Sequence, residues 1–242
     1  MTKTRGVSFE KMEQTILAAA GALFDRQGFN QTSLQHIADA MGMARPSLYH
    51  YFDNREQILV AGVERLTEQR NVITEELRNV EGDPVEKLTT LLLSLGTLLS
   101  ENPVWVRILL RDAVALPEDA RARDLESRIT YFELLVETLR EGIELGYVRA
   151  HDERATAITI LSSLTGLQAQ FAAPIDLSHE DMTRLTVEII LHGILERDRR
   201  EGTPLDRGLQ LIREGTDLVE RASNIDGSVG VRSRWARGRA GH

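Results

Sequence analysis

The chain has 242 residues, 42% of them hydrophobic, which is enough to bury the core of one large or two modest domains. It contains no cysteine, and this excludes a disulfide framework, a thiolate metal site and a cysteine nucleophile. No apolar signal segment follows the first residues, and the longest mostly apolar run, 91–99, is far shorter than the ~20 residues of a membrane-spanning helix. We therefore expect a cytoplasmic protein without a membrane span.

Charge is distributed unevenly along the chain. The formal net charge is −8, but residues 1–55 carry +1 and residues 221–242 carry +4, which leaves −13 for residues 56–220. Attraction to phosphate falls off over about a Debye length, ~8 Å at physiological salt. An acidic central region is therefore compatible with nucleic-acid binding by a separate N-terminal part.

Apolar residues recur with the helical period, and no run of alternating β-branched residues indicates a strand. The sequence predicts an all-α fold of about ten helices. The first covers about residues 8–27 and ends at Gly28, which suits the left-handed conformation that closes helices. The fourth follows Asp53 and Asn54 and extends to about residue 80, and the fifth begins at Pro84. Further helices are expected at about 103–115, 118–145, 152–172, 178–198 and 204–222, and residues 223–242, rich in Gly, Ser and Arg, are predicted to lack fixed structure.

Residues 32–52 have the spacing of a helix-turn-helix motif. Thr32 and Gln35 form a capping-box pattern that opens the second helix, Ala38 leaves room for a helix crossing, and Gly42 supplies the turn. The third helix is expected at about residues 45–51, and a motif of this kind inserts its outer side into the major groove. The candidate DNA-contacting residues on this helix are Arg45, Pro46, Ser47, Tyr49 and His50.

This segment resembles the TetR/AcrR family of transcriptional regulators over about residues 10–60. The capped helix, the turn glycine, the block Leu48-Tyr-His-Tyr-Phe52 and the segment Arg55-Glu-Gln-Ile-Leu59 all fall at the offsets of the family. The resemblance implies that Thr32, Tyr49 and Arg55 contact DNA phosphates. It also implies an N-terminal three-helix DNA-binding domain, residues 1–55, followed by a larger ligand-binding and dimerisation domain, residues 56–222. Ala44 and Pro46 depart from the family, which often has a serine or threonine cap and a glycine at these positions.

In the larger domain, the resemblance implies a small-molecule pocket enclosed by the fifth to seventh helices and a two-fold dimer formed by the last two main helices. The wide apolar faces of 152–172 and 178–198 likewise favour a partner. A pocket of apolar character predicts a hydrophobic organic molecule or an acyl derivative as the effector. The candidate effector-binding residues are Trp105, Leu109, Tyr131, Phe132, Leu135, Gln168 and Phe171, and the predicted dimer face is Ile158, Leu161, Thr165, Met182, Leu185, Ile189 and Gly193.

Arg107 and Arg111 lie one turn apart on a predicted apolar helix. They pair either with an anionic group of a ligand or with solvent and neighbouring carboxylates. The sequence leaves both alternatives open.

The expected function is that of a sequence-specific DNA-binding regulator, a repressor that binds a palindromic operator as a homodimer and is released by its effector. A transcriptional activator of the same fold and a helical interaction module remain alternatives, the second because the central region is acidic. The sequence contains no phosphate-binding glycine loop, no His-Glu-x-x-His pair and no Gly-x-Ser-x-Gly motif, and its histidines are dispersed. We therefore expect no catalytic residue, no cofactor and no metal site.

Overall fold

The computed structural model describes residues 3–80, 82–149, 152–170, 178–195 and 210. Within these ranges the chain forms nine α-helices, a short 3-10 turn at Ala113–Ala115 and no strand, which confirms the predicted all-α fold. The predicted helix 204–222, except for residue 210, and the predicted unstructured segment 223–242 lie outside the described residues. The helices are α1 Lys3–Gln27, α2 Leu34–Ala40, α3 Arg45–Leu48, α4 Arg55–Arg78, α5 Pro84–Glu101, α6 Pro103–Asp112, α7 Glu118–Glu144, α8 Glu153–Gln170 and α9 His179–Ile194.

Several helix boundaries differ from the sequence predictions, and α9 ends at Ile194, before the predicted end at residue 198. α1 begins at Lys3, about five residues before the predicted start. α3 ends at Leu48 and is followed by a turn, so it is shorter than the predicted helix 45–51. α6 ends at Asp112 and passes through the 3-10 turn to Leu116, whose extended backbone is the conformation favoured by a residue that precedes proline.

α2 is capped one residue later than predicted. The hydroxyl of Ser33 accepts a hydrogen bond from the backbone N–H of His36, while the imidazole of His36 accepts one from the backbone N–H of Ser33. Thr32 is instead fully buried, and its hydroxyl donates to the Gly28 carbonyl at 2.9 Å. The predicted capping box of Thr32 and Gln35 is therefore wrong, because Thr32 is bonded to the end of α1 and Ser33 takes its place as the cap.

The chain divides into two compact units. The head unit consists of Met1–Glu68 with Asn102–Glu126, and the body unit consists of Gln69–Glu101 with Ser127–His242. The predicted domain boundary after residue 55 thus falls inside the head unit, which contains α6 in addition to the helix-turn-helix. α4 and α7 each contribute residues to both units.

In the head unit, α6 packs on α1 and α4 because two glycines leave room for its indole ring. A Cβ atom at Gly21 or at Gly62 would press against the ring of Trp105. Phe24 meets the same ring edge-on, with the centroids 6.4 Å apart. Leu109, one turn further along α6, also packs against the head core. Fully buried members of this core are Ile16, Phe24, Ile37, Leu48 and Ile58.

The central helix of the body unit is α5, which is buried along almost its whole length. The hydroxyl of Tyr131 on α7 donates to the Leu91 carbonyl at 2.6 Å, and burial raises the pKa of this phenol. Thr183 of α9 packs against Gly96, where a Cβ atom would overlap the threonine methyl group. The absence of a side chain at Gly96 therefore lets α9 lie close to α5.

No helix in the described part of the chain is both long and apolar enough to cross a bilayer. The described residues also contain no group of three or more His, Asp or Glu side chains arranged to hold a metal ion.

Candidate nucleic-acid interface

The turn between α2 and α3 is built around Gly42, whose φ of +61° lies in the left-handed region that favours glycine. This conformation lets the backbone N–H of Met43 donate to the Ala38 carbonyl at 2.9 Å. Ala38 is fully buried, as the close crossing of the two helices requires. Leu48 is the one buried residue of the four-residue helix α3. The turn and this single anchor therefore set the position of α3.

The outer side of α3 is exposed. Arg45, Pro46, Tyr49 and His50 are exposed and Ser47 is half-buried, so the predicted DNA-contacting residues lie together at the surface of α3 and of the turn that follows it. We call these five residues the reading surface. Within it, the guanidinium of Arg45 donates to the hydroxyl of Tyr49 at 2.9 Å, and its Cζ atom lies 5.5 Å from the centroid of the tyrosine ring.

α3 begins without a side-chain cap, because Ala44 has no hydroxyl or carboxylate to offer. Pro46 lies in the first turn, where its missing N–H leaves no helix hydrogen bond unmade. The N–H of Ser47 donates to the Ala44 carbonyl at 2.8 Å. The departures from the family pattern at Ala44 and Pro46 are thus compatible with a formed helix.

Arg55, at the start of α4, reaches into the loop between α1 and α2. Its Nη1 atom donates to the carbonyls of Asn30 and Thr32, both at 2.9 Å, and to that of Phe29 at 3.2 Å. The guanidinium also lies over the Phe29 ring, with Cζ 4.6 Å from the centroid, and its Nε donates to the carboxylate of Glu56 at 3.1 Å. Arg55 therefore holds the loop that leads into the helix-turn-helix.

Two arginines of α6 bind the C-terminal end of α1. Arg107 forms a bidentate pair with the carboxylate of Asp25, and Arg111 donates to the carbonyls of Phe24 at 2.6 Å and Asp25 at 3.0 Å. The hydrogen bond from Arg107 lowers the pKa of Asp25 below its ordinary value. Of the two alternatives for this pair of arginines, the structure shows bonding within the chain. We call Arg55, Arg107 and Arg111 the arginine brace.

The three residues that the resemblance assigns to phosphates occupy different environments. Tyr49 is exposed, whereas the side chain of Arg55 is 28% exposed and bonded to the loop. Thr32 is fully buried, so no atom of its side chain faces solvent. The arginine brace was not predicted from the sequence, because most of its acceptors are backbone carbonyls, which every residue type has. The only signal was the helical spacing of Arg107 and Arg111.

The candidate effector-binding residues are spread over both units. Two lie in the head core and two are fully or almost fully buried in the body unit. Phe132 is half-buried, with the Arg154 guanidinium 4.9 Å from its ring centroid. Phe171 and the side chain of Gln168 lie outside the described residues. The head pair is Trp105 and Leu109, and the body pair is Tyr131 and Leu135.

Two hydroxyl groups in the body unit were not singled out by the sequence. Ser94 Oγ on α5 and Thr183 Oγ1 on α9 are buried and have no hydrogen-bond partner within the described part of the chain. Buried polar atoms are almost always hydrogen-bonded in native proteins. These hydroxyls are therefore candidates for polar contacts to a ligand, and no sequence pattern distinguishes them from other helical Ser and Thr residues.

Every residue of the predicted dimer face is at least partly exposed to solvent in the single chain. Ile158 is 56% exposed, Leu185 42% and Ile189 62%, Gly193 is also exposed, and Leu161, Thr165 and Met182 are half-buried. The opposite faces of the same helices are buried in the body core through Ile160, Leu164, Val187 and Leu191. α8 and α9 thus have apolar side chains on two faces, and the described part of the chain covers one of them.

Two family profiles match most of the chain. Residues 16–61 match the family described as bacterial regulatory proteins, tetR family, and residues 81–194 match the tetracyclin repressor-like C-terminal domain. The chain belongs to the TetR family. It is therefore a helix-turn-helix transcriptional regulator and not an enzyme.

Named relatives of this TetR-family protein are distant. The HTH-type transcriptional repressor KstR2 of Mycobacterium tuberculosis is 26% identical over 135 residues, which cover 55% of this chain and 68% of KstR2. The structure of that ketosteroid transcriptional regulator matches with a TM-score of 0.70 at 21% identity, over 77% of this chain and 96% of the other. PfmR of Thermus thermophilus matches with a TM-score of 0.66 at 28% identity, over 75% and 99%. AibR, solved with isovaleryl coenzyme A and operator DNA, matches with a TM-score of 0.61 at 24% identity, over 73% and 96%.

Replacing Arg55 with alanine is expected to destabilise the TetR-family head unit by about 2 kcal/mol, because charged hydrogen bonds to backbone carbonyls are lost and these acceptors remain partly buried. Urea-induced unfolding measures this change in the free energy of unfolding. Arg26→Ala is the matched control, since it removes the same charge from an exposed position near the end of α1. We expect a loss below about 0.5 kcal/mol in the control. Equal losses in the two variants would show that net charge, and not the brace, is responsible.

Proposed function

We propose that the chain is a repressor that binds a palindromic operator as a homodimer and leaves it when a small hydrophobic effector binds the body unit. The proposal rests on the reading surface, where the polar side chains of Arg45, Tyr49 and His50 are exposed on α3 and on the turn after it, a segment anchored by Leu48. A guanidinium pairs with the edge of guanine, while hydroxyl and imidazole groups reach phosphates and base edges. The name of the relative KstR2, a transcriptional repressor, favours repression over activation.

In this proposal, Arg45, Ser47 and His50 meet base edges or phosphates in the major groove and Pro46 packs against the groove wall. Tyr49 donates its hydroxyl proton to a phosphate oxygen. Arg55 supports binding by fixing the loop before α2, and its charge adds attraction to the nearby phosphates. We leave Thr32 out of the interface because its side chain is fully buried.

The dimer is proposed to form through the outward faces of α8 and α9. Large exposed apolar side chains such as Ile158 and Ile189 lose solvent contact when a second copy covers them. A two-fold axis would present two reading surfaces to half-sites about one helical turn apart, ~34 Å, on one side of the duplex. This arrangement explains why the operator is expected to be palindromic.

The effector is proposed to bind among the helices around α5, as a largely hydrophobic molecule with a polar group that meets Ser94 or Thr183. The support is the apolar character of α5 and the buried hydroxyls of Ser94 on α5 and Thr183 on α9, which have no hydrogen-bond partner among the described residues. AibR is solved in complex with isovaleryl coenzyme A, and KstR2 is called a ketosteroid regulator, so acyl thioesters and steroid ketones are the first compounds to test. As a regulator acts at the chromosome, we place the protein in the cytoplasm.

Selection of genomic DNA fragments by the purified protein tests the function directly. At physiological salt we expect a palindromic motif with half-sites about 10 base pairs apart. Binding of the selected duplex is expected to weaken by about tenfold or more in the double variant Ser47→Ala/His50→Ala, because both residues lie on the reading surface. Release by an effector is tested by titrating the protein–DNA complex with acyl thioesters and with steroid ketones. A compound releases the protein only if it binds the DNA-free form more tightly than the DNA-bound form.

Recovery of no motif at physiological salt would overturn the operator-binding proposal and favour the helical interaction module. If the protein selects a motif but neither acyl thioesters nor steroid ketones release it from that DNA, operator binding is retained and these two classes of effector are excluded.

The dimer is tested by placing a charge on its proposed interface. Leu185→Glu and Ile189→Glu are each expected to raise the dimer dissociation constant by about a hundredfold or more, because two-fold symmetry places two carboxylates in the buried interface for every substitution. Sedimentation velocity measures this constant. Leu145→Glu is the control, since this leucine is 56% exposed but lies outside the predicted face. A monomer in the wild type, or equal weakening by the control, would refute the proposed interface.

A further inference from the structure

Arg45 and Tyr49 form a pair on the reading surface. They are four positions apart, so both side chains project from the same face of the segment formed by α3 and the turn after it. The guanidinium donates to the phenol oxygen at 2.9 Å and lies 5.5 Å from the ring centroid, measured from Cζ. Both residues are exposed, so burial does not impose this contact. The contact between Arg45 and Tyr49 lies on the side of α3 that is proposed to face DNA.

The direction of the hydrogen bond leaves both partners with donors for DNA. A guanidinium has several N–H groups, and after one is given to Tyr49 the others are still sufficient for a bidentate contact to the O6 and N7 atoms of guanine. The phenol oxygen accepts from Arg45, so its own proton is available for a phosphate oxygen. A donor that is itself bonded to a cation is polarised and becomes a stronger donor. The pair thus links a base contact to a phosphate contact.

The local structure gives Arg45 few other restraints. α3 has only four residues, and Ala44 at its N-cap position offers no side-chain hydrogen bond. The single buried residue of the helix is Leu48. A long, exposed arginine side chain loses much rotamer freedom when it binds a base edge, and a bond that already orients the guanidinium reduces this cost. Tyr49 supplies such a bond.

We infer that Tyr49 is a positioning residue for Arg45 and thereby determines sequence specificity, since it holds the guanidinium at one guanine of each half-site while its own hydroxyl is bonded to the DNA backbone. This inference rests on the proposed operator binding. A phosphate contact alone carries no sequence information, so the two possible roles of Tyr49 predict different results.

The test is a DNA selection carried out with the full chain and with four variants: Arg45→Ala, Tyr49→Phe, the double variant of these two, and Tyr51→Phe. Phenylalanine at position 49 keeps the ring and removes only the hydroxyl. Tyr51→Phe is the matched control, because it is the same substitution two residues away on a half-buried ring that stacks on Phe9 with centroids 4.6 Å apart. Urea-induced unfolding of each variant shows whether the head unit is still folded.

We expect Arg45→Ala to reduce the preference for guanine at one position of each half-site by about tenfold. Tyr49→Phe is expected to reduce the preference at the same position and also to weaken binding to all sequences. The double variant is expected to lose no more discrimination at that position than Arg45→Ala alone, and Tyr51→Phe to retain the wild-type motif.

Uniform weakening by Tyr49→Phe with the wild-type base preferences intact would overturn the inference and leave Tyr49 as a phosphate contact. Loss of discrimination at two different positions in Arg45→Ala and Tyr49→Phe would overturn it as well. If the wild-type chain selects no motif, the proposed operator binding is overturned, and the role of Tyr49 as a positioning residue for Arg45 falls with it.

Discussion

Backbone carbonyl groups at the end of α1 and in the loop after it accept hydrogen bonds from arginine side chains, which add to the few backbone bonds that such groups make at a helix end. An unpaired, partly buried carbonyl costs about 1–3 kcal/mol, so the head unit depends on these bonds. Arg55 comes from α4, whereas Arg107 and Arg111 come from α6. The brace therefore joins α4 to the loop that leads into α2 and joins α6 to the end of α1, which explains why α6 belongs to the head unit.

The short helix α3 depends on its contacts with the rest of the head unit. A helix of four residues is too short to be stable alone, so tertiary contacts must hold it. Leu48 in the core and the turn at Gly42 provide them, and neither uses the outer side of the helix. The residues that hold α3 thus lie on its inner side, whereas the residues proposed to read DNA lie on its outer side. This separation lets the outer side chains vary without loss of the fold.

Local features of the structure were predictable from the sequence. The helical period predicted the all-α fold, Gly28 adopts the expected left-handed conformation with φ of +86°, and Gly42 lies in the expected turn with φ of +61°. The cap of α2 was displaced by one residue, because Thr32 and Ser33 both carry a hydroxyl and only packing decides between them. The position of Trp105 in the head core was not predictable, since an aromatic residue at helical spacing fits a core and a pocket equally well.

The central claim is that two copies of α3 read two half-sites on one side of the duplex. A hydroxyl-radical footprint of the wild-type protein on its selected DNA tests this geometry most directly. We expect two protected clusters of sugars, about one helical turn apart and related by the symmetry of the motif. A single protected cluster, or protection spread evenly along the duplex, would contradict two-fold recognition by this helix.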